Sequence, residues 1–301
     1  MKIAIAGASG LIGRALAAAL RERGDHVLRL VRRASAGADE IAWDPAAGQI
    51  DGGRLAGCDA IVNLAGENIA GGRWTARRRD MIFKSRVDAT STLVRAIGAM
   101  ARRPAVLVNA SAVGFYGDRG DERLTEASAI GHGFLPEVTL AWETHAEGAK
   151  RIGVRTVLAR FGVVLAEEGG ALAKMLPPFR LGLGGPLGNG RQWMSWIALE
   201  DAVAGLRQAI DRPEWSGPMN VVAPGAVTNA DFTRALGAAV RRPAVLPVPA
   251  FALRLLFGQG LADEALLGST RAEPRALAAA GFRFKHPELA GALAAILAPR
   301  K

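Results

Sequence analysis

The sequence predicts an α/β fold in which a doubly wound parallel sheet is covered by helices and followed by a smaller carboxy-terminal lobe. Two observations indicate this class. Short apolar runs alternate with stretches of helical periodicity through the first half of the chain, and the runs are apolar throughout. Strands of that composition are buried on both faces, as they are in a parallel sheet between two layers of helices.

The first elements set the pattern that the later ones repeat. Lys2–Ala6 is a short apolar run and predicts a strand. Residues 11–23 carry apolar side chains at helical spacing, and Gly24 is placed to end that helix. Further strands are predicted at His26–Val31, 60–64, 105–110 and 154–160, and further helices at 85–100 and 135–151.

The chain changes character after Leu165. Residues 182–190 contain too many glycines for a helix or a strand, so we expect either an ordered functional loop or a mobile lid. Regular structure resumes at 195–209. Prolines and amphipathic helices follow from about Pro243 and end with 287–297, which predicts the smaller carboxy-terminal lobe.

Composition argues against several kinds of partner. The formal net charge is +10, but the arginines are scattered and lack the aromatic residues or motifs of nucleic-acid binding, so we expect no nucleic-acid partner. No apolar run approaches the roughly 18–20 residues of a membrane span, so we expect no membrane partner. Cys58 is the only cysteine and cannot form an intramolecular disulfide, which favours a cytoplasmic protein with a packed thiol.

A glycine-rich turn joins the first strand to the first helix. A dinucleotide at such a turn requires glycine where the backbone approaches the pyrophosphate and where the helix packs close to the strand. The helix amino terminus then offers free N–H groups to the phosphates. The turn therefore predicts dinucleotide binding, with a purely structural glycine turn as the alternative. The predicted contact residues are Gly7, Ala8, Ser9, Gly10, Leu11, Ile12 and Gly13.

The end of the second strand indicates which dinucleotide is bound. An acidic residue there would bind the ribose hydroxyls of NAD. This strand instead ends Val31-Arg32-Arg33, and the first acid after it is Asp39. Because guanidinium groups suit the 2′-phosphate, we predict NADP(H) as the cofactor. The alternative is a solvated basic pair.

With these motifs, the chain resembles the extended short-chain dehydrogenase/reductase superfamily. It is most similar to the atypical epimerase family proteins, which belong to the NAD(P)-dependent epimerase/dehydratase group and carry a family-specific carboxy-terminal domain. The resemblance covers essentially the whole chain, and residues 178–196 are its most specific segment. The other matching segments are 7–13, 62–69, 85–86, 111–117, 142–143, 160–165, 220–224 and 281–282.

The resemblance implies a Rossmann-type, epimerase/dehydratase-like cofactor domain over residues 1–240, with its core mainly in 1–165. The family-specific domain would occupy residues 245–297. The glycine turn at 7–13 would hold the pyrophosphate. The residues facing the adenosine ribose and its phosphate would be Val31 and Arg32.

Four further residues are implied in cofactor binding. Leu64 and Ala65 would line the cofactor after the strand at 60–64, and Val164 would lie near the nicotinamide half. Arg86 stands where ordinary extended members carry an asparagine. It would either reach a phosphate or pair with a surface acid.

The usual catalytic residues of the superfamily are missing. Ordinary members use a tyrosine and a lysine four residues later, because the lysine lowers the pKa of the phenol for proton exchange with the substrate. Alignment on Glu143 places Leu135 and Thr139 at these two positions. The position of the customary serine falls at Ala112, beside Ser111.

Three residues remain weak candidates for chemistry. Glu143 is either a general base or a buried, capped or ion-paired carboxylate. Tyr116, the only tyrosine, is either a packed loop aromatic or a substrate contact. Ser111 would hydrogen-bond on the nicotinamide side. No His/Cys/Asp cluster has ligand spacing, so no metal is predicted.

The glycine-rich loop at 182–190 is expected to roof the substrate site together with the residues that follow it. An arginine beside indoles, here Arg191 with Trp193 and Trp196, suits a planar or anionic ligand. Alternatively, the tryptophans pack between the lobes. We predict an NADP(H)-dependent oxidoreductase or epimerase acting on an unidentified small molecule, with a non-catalytic redox sensor or regulatory protein as the alternative. The oligomeric state stays open.

Overall fold

A large sheet organises the computed structural model, which describes residues 1–34 and 37–298. The strands are β1 (Lys2–Ala6), β2 (His26–Val31), β3 (Glu40–Asp44), β4 (Gln49–Ile50), β5 (Ala60–Asn63), β6 (Val106–Ala112), β7 (Arg123–Leu124), β8 (Arg155–Phe161), β9 (Val163–Leu165), β10 (Trp193–Met194), β11 (Trp196–Ala198), β12 (Gly217–Val221), β13 (Val227–Thr228) and β14 (Arg271–Ala272). Eight of them form one sheet in the order β12-β8-β6-β5-β1-β2-β3-β4. Only the β3–β4 pair in that sheet is antiparallel, so the predicted α/β fold with a parallel-dominated sheet is confirmed.

Helices cover both faces of this sheet. They are α1 (Leu11–Glu22), α2 (Gly52–Leu55), α3 (Ala76–Gly98), α4 (Phe134–Arg151), α5 (Gly170–Arg180), α6 (Leu199–Asp211), α7 (Asn229–Ala239), α8 (Ala250–Phe257), α9 (Gln259–Leu261), α10 (Arg275–Ala279) and α11 (Leu289–Ile296). A 3₁₀ turn at Val113–Tyr116 and a π-helical turn at Ala262–Leu266 lie between them. No helix of the described part of the chain is long and apolar enough to cross a membrane.

The two faces of β1 explain why its sequence is apolar throughout. Ile3 and Ile5 pack in the cluster that contains α1 and α6. Ala4 and Ala6 face the opposite way, into the cluster that contains much of α3. A strand with a hydrophobic layer on each side has no solvated face on which to place polar side chains.

Two differences from the predicted elements have identifiable causes. Helix α3 begins at Ala76, with the Thr75 side chain accepting a hydrogen bond from the backbone N–H of Arg78. The run of arginines at 77–79 hides the apolar periodicity of this first part, so the helix was predicted to begin only at 85. Strand β3 was missed because its few apolar residues are flanked by Glu40 and Asp44.

The glycine-rich loop at 182–190 is hydrogen-bonded to the segment that precedes α8. The backbone N–H of Leu246 donates to the carbonyl of Gly184, and that of Val248 donates to the carbonyl of Pro186. A Cβ at Gly185 would lie only 1.7 Å from the Leu246 carbonyl oxygen. The glycines therefore allow this loop to pack directly against the segment that leads into α8.

Candidate cofactor and substrate site

The glycine turn lies where the strand order of the sheet reverses. Strand β1 pairs with β2 on one side and with β5 on the other. The helices that follow these strands, α1 after β1 and α3 after β5, pack on opposite faces of the sheet. Gly7 adopts a φ of +76°, and a Cβ there would lie 2.6 Å from the Leu64 carbonyl oxygen. A Cβ at Gly13 would lie 2.2 Å from the Gly7 carbonyl oxygen. Both positions therefore require glycine, and ligands of open α/β sheets bind at such a reversal.

The amino terminus of α1 is uncapped. Gly10 occupies the N-cap position without a side chain to accept a hydrogen bond, and the first turn contains no acidic residue. The free N–H groups and the positive end of the helix dipole therefore face the turn without an internal anion. This arrangement can hold the oxygen atoms of a phosphate.

A cleft of about 910 Å³ opens beside the turn. Eight of the predicted cofactor residues line it, namely Gly7, Ala8, Ser9, Gly10, Val31, Arg32, Leu64 and Ala65. Leu11, Ile12, Gly13, Arg86 and Val164 are not among its lining residues. The cleft brings together the turn after β1, the end of β2 and the loop after β5.

Three arginines stand around the β2 end of this cleft. Arg29 Nη2 and Arg33 Nη2 both donate to Glu40 Oε1, at 2.8 and 2.7 Å. Arg32 is exposed and, among the described residues, has no hydrogen bond or ion pair. The sequence analysis missed the role of Glu40. Arg33 is anchored by this buried carboxylate, whereas Arg32 has no such partner among the described residues, so the two arginines are not an equivalent solvated pair.

Buried amides support the other wall of the cleft. Asn63 Nδ2 donates to Asn109 Oδ1 at 2.7 Å and to Thr90 Oγ1 at 3.0 Å, while Asn63 Oδ1 accepts from the backbone N–H of Ala65. This network fixes the loop after β5. It holds Leu64 and Ala65 against the glycine turn.

A closed polar cluster occupies the ends of β6 and β8, where chemistry was expected. Arg160 donates to both carboxylate oxygens of Glu143, through Nε at 2.8 Å and Nη2 at 2.7 Å. Ser111 Oγ donates to Glu143 Oε1 at 2.6 Å. Arg160 is 3% exposed and Glu143 5%. Of the two interpretations of Glu143, this geometry matches the buried, ion-paired carboxylate.

Tyr116 extends this cluster and is fully buried. Its hydroxyl donates to Asn220 Oδ1 at 2.7 Å and accepts from Arg160 Nη1 at 3.0 Å. Burial raises the pKa of the Tyr116 phenol, and the nearby Arg160 charge offsets only part of that rise. A catalytic tyrosine needs the opposite shift. Of the two interpretations of Tyr116, this geometry matches a packed aromatic and not a substrate contact.

Arg160 is the partner that the sequence analysis missed. Burial alone would lower the pKa of its guanidinium, but the hydrogen bonds and charge of Glu143 and the contacts with Tyr116 outweigh burial and raise it. The guanidinium also stacks 3.6 Å from the centroid of the Phe115 ring. The available signal was a charged residue that directly follows the apolar run 157–159 of this strand.

The two positions of the missing catalytic pair lie at the start of α4. The backbone N–H of Leu135 donates to Glu264 Oε2 at 2.8 Å, so a side chain of the π-helical turn caps this helix. Thr139 Oγ1 donates back to the Leu135 carbonyl at 2.9 Å. Neither position presents a phenol or an amine.

The tryptophans beside the glycine-rich loop are held by the protein itself. Trp196 is fully buried and donates through Nε1 to the Gly225 carbonyl. Trp193 donates through Nε1 to Asp121 Oδ1 at 2.7 Å, and the Arg271 guanidinium lies 3.9 Å from its ring centroid. Trp196 therefore packs in the core, whereas Arg191 stays exposed.

The described part of the chain contains no cluster of metal-ligating side chains, and its cysteine is buried. No group of three or more His, Cys, Asp or Glu residues could hold a metal ion within residues 1–34 and 37–298. Cys58 is buried, and burial raises the pKa of its thiol. It is the packed thiol that the sequence predicts.

A reversal of strand order beside a glycine turn and an uncapped helix defines a Rossmann-type nucleotide-binding protein. Comparison with known families agrees. The model of the NAD dependent epimerase/dehydratase family matches residues 3–223, and that of a domain of unknown function, DUF1731, matches residues 248–296. The chain belongs to the NAD-dependent epimerase/dehydratase family, and the predicted resemblance is confirmed.

Several relatives match nearly the whole chain. An epimerase family protein of Mycobacterium bovis is 48% identical over 97% of this chain and 96% of its own length. The epimerase family protein YfhF of Bacillus subtilis is 37% identical, and the match covers 100% of this chain and 99% of YfhF. The crystal structure of human epimerase family protein SDR39U1 with NADPH superimposes with a TM-score of 0.90 at 36% identity, covering 98% of this chain and 99% of that one.

Proposed function

We propose that this chain binds NADP(H) in the cleft beside the glycine turn and uses it as an oxidoreductase or epimerase on a small molecule. The observation that carries the choice of cofactor is Arg32, which is exposed at the end of β2, lines the cleft and has no partner among the described residues. A guanidinium in that position can bind a 2′-phosphate through charge-assisted hydrogen bonds. The NADPH present in the structure of the human relative supports this choice.

The charges around Arg32 favour a phosphorylated ribose over a plain one. Glu40 lines this corner of the cleft, and Arg29 and Arg33 both bind it. Two guanidinium groups against one carboxylate leave a positive balance even before Arg32 is counted. A ribose hydroxyl would gain little from that field, whereas a phosphate dianion would gain a great deal.

A specific observation favours a second candidate, a non-catalytic NADP(H)-binding sensor or regulatory protein. The three candidate residues for chemistry are all hydrogen-bonded within the closed cluster around Arg160. They are Ser111, Tyr116 and Glu143. A group that must donate or accept a proton during turnover would first have to leave these bonds. The two candidates share the cofactor and differ in turnover.

Cofactor choice is tested by measuring the Kd of NADPH and NADH by calorimetry for the unaltered chain and for Arg32→Gln. We expect NADPH to bind more tightly than NADH, and the substitution to weaken NADPH by about tenfold to a hundredfold while leaving NADH unchanged. Arg234→Gln on the exposed face of α7 is the matched control. Equal affinities for the two dinucleotides in the unaltered chain would contradict the proposal.

Turnover is tested with a panel of carbonyl compounds and nucleotide sugars, following NADPH oxidation and product formation. Turnover that Ser111→Ala or Glu143→Gln abolishes would support an enzyme that opens the cluster. Stoichiometric NADPH binding without turnover across the panel would support the sensor.

We also propose a cytoplasmic location and the division of the chain into a cofactor domain at residues 1–240 and a family-specific domain at residues 245–297.

A further inference from the structure

The most exposed apolar side chains of the molecule are concentrated in two short segments, 181–183 and 245–257. Outside these segments, no large apolar side chain of the described residues is more than 48% exposed. Single exposed apolar residues are ordinary, but a cluster of them marks a surface that binds something apolar. Five side chains of the two segments are each at least 67% exposed, and we call them the apolar surface: Leu181, Val245, Phe251, Leu255 and Leu256.

Backbone contacts bring the two segments of the apolar surface together. The backbone N–H of Leu246 donates to the carbonyl of Gly184, and Arg242 Nε donates to the carbonyl of Arg180 at 3.2 Å. The segment that leads into α8 therefore runs beside residues 180–184.

Helix α8 continues the apolar surface. Phe251 and Leu255 are four residues apart and lie on the same side of this helix. Leu253 is the one side chain of α8 that is buried. The helix therefore leaves most of its large apolar side chains without a protein partner.

The stretches of chain around the apolar surface carry positive charge only. Residues 169–199 and 232–262 together contain seven Lys or Arg and no Asp or Glu. Two of these cations bind acids from outside the stretches. Arg241 and Arg242 are exposed and form no ion pair with the described residues. The apolar surface therefore has a basic edge, which is complementary to an anionic occupant.

This combination does not suit a second copy of the chain or a peptide. In a two-fold dimer the same surface meets itself, which would bring the basic edge of one copy toward that of the other. A peptide helix binds in a groove, whereas side chains that are at least 67% exposed project from the surface. Projecting apolar side chains beside arginines suit the interface of an anionic membrane, where the former enter the acyl boundary and the latter stay with the phosphates.

We propose that the apolar surface binds the face of an anionic membrane, with Phe251 and Leu255 inserted at the interface and Arg241 and Arg242 beside the lipid phosphates. Helix α8 has eight residues and does not span the membrane, because an interfacial helix lies in the membrane plane. The expectation of no membrane partner rested on the length of apolar runs, which bears on spanning helices alone. None of the five side chains lines the cofactor cleft, so this binding is separate from the proposed NADP(H) function.

The test is cosedimentation of the unaltered chain with vesicles at physiological ionic strength. Vesicles of two parts phosphatidylcholine to one part phosphatidylglycerol should bind the chain, and vesicles of phosphatidylcholine alone should bind it at least about tenfold more weakly. Phe251→Ser combined with Leu255→Ser should weaken binding to the mixed vesicles by at least about tenfold. Leu140→Ser, at an exposed leucine of α4, is the matched control and should bind as the unaltered chain does.

The basic edge is tested with two arginine pairs. Arg241→Gln combined with Arg242→Gln should weaken binding to the mixed vesicles by about tenfold. Arg102→Gln combined with Arg103→Gln removes the same charge from an exposed pair before β6 and should change binding by about twofold or less. Thermal unfolding shows whether each variant is folded.

Three results would overturn the proposal. Failure of the unaltered chain to bind the mixed vesicles would leave an acidic protein as the occupant of the apolar surface. Undiminished binding of the Phe251→Ser, Leu255→Ser variant would mean that the net charge of +10 alone attracts the chain to anionic lipid. A dimer in sedimentation without lipid, which the same variant converts to a monomer, would show that a second copy covers the surface.

Discussion

The two ends of the site differ in how their polar groups are satisfied. At the glycine turn, the α1 amino terminus is uncapped and Arg32 has no partner among the described residues. At the ends of β6 and β8, the polar side chains of Ser111, Glu143 and Arg160 bind one another and are almost fully buried. Buried polar groups are costly unless they are bonded, so an open end signals a ligand and a closed end signals internal structure.

This difference shows why cofactor binding follows more directly from the structure than turnover does. An unpaired donor lining a cleft has an obvious use, because a ligand can satisfy it. A cluster whose polar groups already bind one another can bind a ligand only after those hydrogen bonds open. Each of the following predictions tests one side of this comparison, beginning with the largest expected effect.

Loss of Arg160 should be the most damaging change at the closed end. Arg160→Met leaves the Glu143 carboxylate buried without its cation, and we expect unfolding to become easier by about 3–5 kcal/mol in chemical denaturation. The double variant Glu143→Leu with Arg160→Met removes both charges and should recover most of that stability. A double variant as unstable as the single one would mean that packing, not charge, holds this region together.

Gly7→Ala should damage the open end. Alanine at a φ of +76° is strained by about 1–3 kcal/mol, and its Cβ would lie 2.6 Å from the Leu64 carbonyl oxygen. We therefore expect NADPH binding to weaken by at least about tenfold, measured by calorimetry.

Gly24→Ala is the matched control for this change. Gly24 has a φ of +89° at the other end of α1, but a Cβ there would meet nothing within 4 Å. The control should lose some stability and keep its NADPH affinity. If both variants bind NADPH normally, the close approach of the turn to Leu64 is not what shapes the cleft.

Titration of Tyr116 should give the smallest effect, at high pH only. Because burial raises the pKa of its phenol above the unfolded value, this group favours the folded state below pH about 10. That contribution is lost as the pH rises through the folded pKa. Since Tyr116 is the only tyrosine and tryptophan does not ionise, the change in near-ultraviolet absorbance on phenol ionisation reports Tyr116 alone. Ionisation of Tyr116 in the native protein at pH about 10, as in the unfolded chain, would contradict the burial of this phenol.

Local signals were enough to predict the framework of the molecule. Strands β1 and β2 have the predicted bounds because continuous apolar runs determine them. The glycine turn was predictable because only glycine tolerates the φ and the close contacts at Gly7 and Gly13. The arginine pair at the end of β2 was also visible in the sequence, but the contact of Arg33 with Glu40 was not.

The partners of buried charges could not be predicted in the same way. Glu143 and Arg160 are 17 residues apart on a helix and a strand, and only the packing of α4 on the sheet brings them together. Glu40 lies 11 residues after Arg29 and meets it through the pairing of β2 with β3, a strand that the sequence hides. Such contacts depend on which elements pack or pair with each other, and the residues of one segment alone do not show this.

A crystal structure of the chain with NADPH tests the contrast between the two ends most directly. The account predicts the 2′-phosphate within hydrogen-bond distance of the Arg32 guanidinium, with the Ser111–Glu143–Arg160 bonds unchanged. A 2′-phosphate away from Arg32, or a Glu143 carboxylate released from Arg160 and turned toward the nicotinamide, would contradict it.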